Sequence, residues 1–411
     1  MKLLIWCPLL SEGGGVRLIL RLAIALSHQP KVEAIRIALP EHKLDTAQRN
    51  SLSEAGINVF DLPSRKFYGD GNLRRIPGTA SIKKWLKFVL QRDAKLWLNR
   101  KIKAAAEGYD IIYVFWPHSQ APLDATKPMV CTFQDVTLLD YPEILGGFAA
   151  KREHSNSLNW IERCRTVVAS SEATKQRMIQ IFGSVCQQVK VIHHAVSPEP
   201  VHDAAEDPLP ITLPQRYILY PANINPHKNH YNLLFAFARF AKRAEVPLVL
   251  VGSGTNLIAE PPSEHSPLWW QIDRLRGVIQ RTGLKSGTDF FALGYLSDKQ
   301  LATITEKAWA TVMPSLSEGG GSFPAEEALS FGIPLACSDI PVMREHLAAR
   351  TADIIWFNPQ CPASILQALN EMVDRYPQLK ERALLGRHDP RPSWENVASD
   401  YATVFSDALK E

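Results

Sequence analysis

The chain opens on an unbroken apolar run, Lys2-Leu-Leu-Ile-Trp-Cys7, which predicts a short strand buried on both faces of a parallel sheet. Ser11-Glu-Gly13-Gly14-Gly15 follows, then Val16 to Leu26, whose apolar positions recur at helical spacing. Strand, glycine turn and helix form the first βα unit of a doubly wound sheet. Further apolar runs predict strands at Ile35–Leu39, Val59–Leu62, Ile111–Phe115, Met129–Phe133 and Val167–Ser170, with helices between them. The segment Ser197 to Gln215, rich in proline and acids and without periodicity, reads as a linker. A second series then begins, with strands at Tyr217–Tyr220, Pro247–Val251, Phe290–Ala292, Thr311–Met313 and Pro334–Cys337. Ser297-Asp-Lys-Gln300 is a capping box for one of its helices, and the last helix starts near Trp394-Glu395. The fold class is α/β, two Rossmann-like doubly wound parallel-sheet domains facing a cleft, with ligand expected at the carboxyl ends of the strands.

Length agrees: 411 residues exceed one ordinary core and suit two domains of about 200 each. Hydrophobic content of 45% and charge of 21% are those of a soluble globular protein. The six cysteines are scattered without a CxxC pair, so neither a disulfide framework nor a zinc site is expected and a reducing cytoplasm is the simplest home. Leu3 to Leu10 is too short for a signal-peptide core with its cleavage site, and no apolar stretch approaches the roughly 18 residues that span a bilayer.

The richest chemistry lies in Pro314-Ser-Leu-Ser-Glu318-Gly-Gly-Gly321-Ser-Phe-Pro324-Ala-Glu326-Glu327, where a strand runs into a glycine turn and then a helix starting near Ser322. Consecutive glycines turn tightly and let a ligand approach the main chain. The helix aims free N–H groups and its positive dipole end at the turn, which suits a phosphate. Glu318 and Glu326 or Glu327 can hold hydroxyl-rich groups beside it. Phosphate plus polyol reads as a sugar nucleotide. A glycine turn alone can serve packing; the paired acids make that reading weaker still.

This segment resembles the signature of glycosyltransferase family 4, retaining enzymes of the GT-B fold. There a Glu near the donor sugar is followed, eight residues on, by a second that binds the ribose hydroxyls. Glu318 matches the first. Glu326 has the usual spacing for the second, whereas Glu327 fits the continuation Glu327-Ala-Leu-Ser-Phe-Gly-Ile-Pro better, and an extra glycine would explain the shift. The resemblance extends from Gly13 to Trp394. It implies an acceptor-binding domain over 1–205, a nucleotide-sugar-binding domain over 206–390, and a helix over 391–411 crossing back to the first domain.

Other motifs keep the family's order. Tyr220-Pro-Ala-Asn223-Ile-Asn-Pro-His227-Lys228-Asn229-His230 ends a strand and starts a helix. Lys228 can neutralise a departing diphosphate there, or simply be solvated. The family's Arg/Lys pair maps onto Asn223 and Lys228, so one clamp charge is missing and Arg344 or His227 is left to compensate. Gly294-Tyr295-Leu296-Ser297 resembles the loop contacting the base, placing Tyr295 with Gly319, Gly320, Gly321 and Ser322 among the donor-binding residues. Trp116-Pro-His118 puts an imidazole at the end of a strand, structural or catalytic, where the family often has a His near sugar and acceptor. Gln134-Asp135 stands where the family has His-Asp. Gln134 cannot shuttle protons, and Asp135 is either an acceptor ligand or a cap. The acceptor set is then Gly13, Gly14, Gly15, His118, Gln134 and Asp135, and the catalytic set Glu318, Lys228 and His118. Ser171-Glu172 matches the family's Ser-Glu, with Ser171 an N-cap on its own reading.

No Asp-x-Asp dyad ends a strand, so no cofactor or metal is expected: the donor is a nucleotide-diphosphate sugar held by glycines, helix dipole and Lys228. Between Arg65 and Lys103 twelve Lys/Arg face only Asp70 and Asp93, with Trp85, Phe88 and Trp97 interleaved. Such a basic amphipathic stretch suits an anionic membrane surface at the inner face of the cell membrane, a nucleic acid, or plain solvent; a family whose acceptors are often lipid-linked favours the first. The expectation is a retaining hexosyltransferase of polysaccharide or glycolipid synthesis, without nucleic acid as partner. The Pro-His-Lys-Asn-His subgroup suggests mannose and a GDP-sugar. A sugar-nucleotide epimerase and a non-catalytic paralogue are the alternatives. A dehydrogenase is disfavoured because Ser11-Glu-Gly-Gly-Gly lacks G-x-G-x-x-G spacing.

Overall fold

A computed structural model describes residues 1–9, 14–63, 98–120, 122–144, 147–196, 207–259 and 269–410. Gly13, the basic segment up to residue 97 and the first part of the linker therefore lie outside the described residues. The chain divides into two compact units: Met1–Ala195 with Pro392–Glu411, and Val196–Arg391.

The first unit is built on strands β1 (Lys2–Trp6), β2 (Ala34–Pro40), β3 (Asn58–Leu62), β4 (Ile111–Val114), β5 (Met129–Phe133), β6 (Thr166–Ala169) and β7 (Lys190–Val191), all parallel, in the order β3-β2-β1-β4-β5-β6-β7. Burial explains the unalternating apolar runs: Leu3, Leu4, Ile5, Trp6 and every residue of β4 and β5 are buried. Helix Gly14–Ser27 returns from β1 and packs against the last helix, Trp394–Lys410. That helix buries Trp394, Val397, Tyr401, Val404 and Phe405. Inside, Tyr113 Oη and Thr132 Oγ1 lie 2.9 Å apart, and Thr132 Oγ1 lies 3.1 Å from Tyr401 Oη.

The second unit repeats the plan with β8 (Ile218–Pro221), β9 (Leu248–Val251), β10 (Phe290–Ala292), β11 (Ala310–Met313), β12 (Leu335–Ser338) and β13 (Ile355–Phe357), again all parallel, in the order β10-β9-β8-β11-β12-β13. Each sheet reverses its order once, between β1 and β4 and between β8 and β11. Loops leaving such neighbours diverge and open a crevice at their carboxyl ends.

β7 and β13 are strands without a sequence forecast; two and three residues long, they show no apolar run to read. The capping box appears as expected, with Ser297 and Gln300 exchanging side-chain bonds at helix Asp298–Glu306. All cysteines among the described residues are free. Among the described residues no helix is long and apolar enough to cross a membrane.

Candidate functional site

In the second unit the loop after β8 is laced to its neighbours before it reaches Lys228. Asn223 Oδ1 accepts from Ser253 N at 2.7 Å, and Ile224 N donates to Ser253 O at 3.0 Å. Gly252 sits where the two loops touch: a Cβ there would lie 2.5 Å from the Ala222 carbonyl carbon, and its φ is +134°. Asn223 is thus a loop tie, committed to a backbone amide.

Pro226–Lys228 forms a short 3-10 turn, and Asn229 ends it in the left-handed region at φ 61°. Asn229 Nδ2 donates to Pro314 O (2.8 Å) and Pro359 O (2.7 Å), pinning this loop to those after β11 and β13. Tyr220 Oη donates to Lys228 O, and Leu316 N to His227 O at 2.7 Å. With its backbone held on several sides, Lys228 extends Nζ to 2.6 Å from Oε1 of Glu318 on the β11 loop. Both side chains are mostly buried but reach solvent, at 22% and 11% exposure. The structure thus brings together Lys228, Glu318 and the start of the glycine turn at the switch point between β8 and β11.

No second cation completes this site from the residues expected to do so. Burial pushes the His227 imidazole down to about 3, with the Lys228 charge adding to it. Burial does the same to His230, also to about 3. Arg344 is held by Asp339 through two bonds of 2.7 and 2.9 Å, its guanidinium 4.0 Å over the Trp356 ring. Neither His227 nor Arg344 replaces the missing charge at Asn223.

The turn ends at Gly321 with φ +91°, and a Cβ there would lie 2.2 Å from Cγ of His346. Only glycine fits. Helix Phe323–Ser330 begins at once, with Ser322 as N-cap accepting from Ala325 N at 3.4 Å and Pro324 in its first turn. Ser322 is 3% exposed, its hydroxyl serving as the cap. Glu326 is already engaged on both oxygens: its Oε1 accepts from Arg350 Nε at 2.8 Å and its Oε2 from Arg391 Nε at 2.9 Å. Glu327, 5% exposed, is the remaining second carboxylate. Gly294 and Tyr295 form the turn after β10, tied to the β9 loop by Gly294 N donating to Thr255 Oγ1 (2.9 Å); Tyr295 is 62% exposed.

In the first unit the expected residues gather at the ends of β4 and β5. His118 is fully buried, its Nδ1 2.8 Å from Glu153 Oε1 and its Nε2 2.8 Å from Asp135 O. Burial pushes the imidazole down, but the Glu153 hydrogen bond and the Asp135 and Glu153 charges outweigh it and raise its pKa. Nε2 must donate to the carbonyl, and a protonated ring can donate at Nδ1 as well. With both nitrogens occupied, His118 ties the β4 loop to Glu153 and to the Asp135 backbone in this structure. Glu153, on helix Gly147–Arg163, also accepts from Ser119 N at 2.8 Å, where φ is +59°. Nothing local in the sequence marked it.

Gln134 Nε2 donates to Phe115 O at 3.3 Å, while its Oε1 is buried without a hydrogen-bond partner among the described residues. Asp135 Oδ1 accepts from Thr137 N at 2.8 Å, an Asx turn just ahead of the short helix Thr137–Asp140. Ser171 caps helix Glu172–Phe182. Gly14 begins helix Gly14–Ser27 and Gly15 follows it; beside Gly14 a Cβ would meet open space. Among the described residues no group of three or more His, Cys, Asp or Glu gathers in a metal-binding arrangement.

Residues 202–385, nearly the whole second unit, match the family described as Glycosyl transferases group 1. The chain is a glycosyltransferase. It is 24% identical over 286 residues to O-antigen chain mannosyltransferase B of Escherichia coli, covering 67% of this chain and 69% of that protein. The serotype-specific mannosyltransferase WbdA of Escherichia coli is 27% identical over 320 residues, which span 73% of this chain but only 37% of the relative. Among solved structures, Anabaena Alr3699/HepE in complex with UDP and glucose superimposes with a TM-score of 0.68 at 16% identity, over 99% of this chain and 100% of that one. The fold of the glycosyltransferase is accordingly GT-B.

Proposed function

We propose that this glycosyltransferase is a retaining enzyme of the family 4 kind, moving mannose from a nucleotide-diphosphate sugar, GDP-mannose first, to a glycan or lipid-linked acceptor in polysaccharide synthesis. The Lys228–Glu318 pair carries the reading. It puts one ammonium and one carboxylate side by side at the switch point, immediately before three glycines and a capped helix. The two mannosyltransferase relatives support the sugar and the polysaccharide setting.

In this reading the diphosphate lies against the Gly319–Gly321 amides and the start of helix Phe323–Ser330, needing no divalent cation. Its arrival draws Lys228 from Glu318, which is left to the donor sugar. As the bond from sugar C1 to the phosphate oxygen breaks, Lys228 stabilises the charge on the leaving group. The acceptor oxygen bonds to C1 on the same face, and its proton passes to the departing phosphate. Glu327 takes the ribose hydroxyls and the Tyr295 turn the base. Acceptor binding falls to the first unit, near Gly13–Gly15 and Asp135, with His118 and Glu153 holding the loop. The basic segment 65–103 adds contact with an anionic membrane at the cytoplasmic face.

The test is calorimetric titration with GDP-mannose, UDP-glucose, and ADP- and dTDP-sugars in chelator-treated buffer, then anomeric analysis of the product by NMR. Binding of one donor and a product that keeps the donor's anomeric configuration are expected. Conversion of the donor with no acceptor present would indicate an epimerase instead. Absence of binding by every sugar nucleotide refutes the proposal.

A further inference from the structure

Glu326 is the most enclosed carboxylate beside the glycine turn, 1% exposed on the first turn of helix Phe323–Ser330. Arg350 grips its Oε1 and Arg391 its Oε2, while His346 Nε2 lies 3.5 Å from Oε1. The guanidiniums are themselves anchored. Arg350 Nη1 donates to Pro390 O at 2.9 Å, and Arg391 Nη1 to Asp389 O at 3.0 Å. Asp389 in turn accepts from Thr351 N at 2.6 Å and from Thr351 Oγ1 at 2.7 Å. The His346 ring, beside this carboxylate, fills the space against which Gly321 turns.

We propose that Glu326, Arg350, Arg391 and His346 form a positioning unit that sets the shape of the Gly319–Gly321 turn for the donor's phosphates, with Glu326 at its hub. The inference rests on the donor reading above. A buried carboxylate with charge-assisted bonds to both oxygens is a fixed point, because moving it strands two guanidiniums. Fixing Glu326 fixes the roll of its helix, and so sends Glu327 off about 100° around the axis. Holding His346 against the turn keeps Gly321 at positive φ, so the turn's amides keep one orientation before any ligand arrives. Preorganised donors bind an anion without reorganisation, which is where affinity is gained. Arg391 is the last residue of the second unit, so the same hub also anchors the point where the chain leaves that unit.

Glu326→Gln and His346→Ala test this, with Arg391→Lys as the charge-preserving variant. Both test variants should raise the donor KM and the nucleotide-sugar Kd about tenfold or more, with kcat at saturating donor within about threefold. Hydrogen exchange at the Gly319–Gly321 amides should quicken while amides of β8 and β11 stay protected. Arg391→Lys should restore most of the affinity lost in Arg391→Ala. If Glu326→Gln does not fold, His346→Ala decides, since it removes none of the ion pairs to arginine. Wild-type Kd and unchanged exchange at the turn in a folded His346→Ala overturn the proposal. A wild type that binds no sugar nucleotide sinks the donor reading instead, and the exchange measurement still decides whether the hub shapes the turn.

Discussion

Nζ of Lys228 lies 2.6 Å from Oε1 of Glu318, joining the loops that leave β8 and β11, the neighbours at which the second sheet reverses its order. The two residues lie ninety positions apart, and the contact exists because parallel pairing sets both strand ends side by side. The ammonium has three donors and spends one on the carboxylate, so a phosphate would compete with Glu318 for its charge, and the two should fail differently when changed.

Lys228→Met is expected to lower kcat about 10²- to 10³-fold, the usual loss when one preorganised charge at a leaving group is removed. Lys228→Arg should recover only part of it, because a planar fork does not reproduce a compact ammonium. Removing the ammonium also leaves the Glu318 carboxylate, 11% exposed, without its partner, so the thermal midpoint should fall as well. Steady-state kinetics with scanning calorimetry check both. Near-normal turnover in Lys228→Met would remove this residue from the reaction.

Glycines here differ sharply in what they tolerate. Gly252→Ala forces a Cβ to 2.5 Å from the Ala222 carbonyl at φ +134°, backbone against backbone. A loss above about 3 kcal/mol is expected. Gly14→Ala places its Cβ in open space at the start of a helix and should be neutral or stabilise by up to about 1 kcal/mol. Urea midpoints of the two variants should fall on opposite sides of, or far unequally from, the wild type.

His118 has a folded pKa above its unfolded value of about 6.5. Its contribution is therefore complete below that pH and fades as pH rises through the folded pKa. Glu153→Gln should lower stability at mildly acidic pH and flatten this decline. Unfolding free energy of the two proteins from pH 5.5 upward measures it. Parallel curves would show that Glu153 does not hold the proton there.

His230 has the opposite sign. Its pKa, pushed down to about 3, makes its contribution complete above about 6.5 and lost as pH falls toward 3. His230→Phe keeps a ring next to Tyr220, 4.7 Å away in the native structure, and cannot charge. Acid unfolding of the second unit, followed by hydrogen exchange in β8 and β11, should shift to lower pH in this variant. An unmoved acid limb would place the cost elsewhere.

Tyr401 ties the last helix to the first sheet by its ring and by Thr132. Tyr401→Phe should cost about 1 kcal/mol and Tyr401→Ala about 3–5 kcal/mol, read from denaturant midpoints. Equal effects would mean that the hydroxyl, not the packing, supplies the attachment.

Both sheets were legible because strands buried on both faces must be apolar without interruption, as at Leu3–Trp6 and Ile111–Val114. The strand–glycine–helix order around Gly321 was legible for a similar reason: a positive φ beside a helix start needs glycine and a cap. Edge strands Lys190–Val191 and Ile355–Phe357 were not, being too short to show a pattern. Nor could the buried partners of Glu153 and Glu326 be read, since they lie 35, 24 and 65 residues away. Tertiary ion pairs leave no local trace. His118 shows the same limit from the other side: the residue was visible, but the carboxylate it bonds was not.

Because residues 392–411 complete the first unit, the ribosome delivers its closing helix only after the entire second unit has been made. The apolar flank of Gly14–Ser27 must wait uncovered through that interval, while the second unit has all its own residues in hand and can settle first. Biogenesis would then run inside-out along the chain, and the nascent first unit would be the step that needs a chaperone.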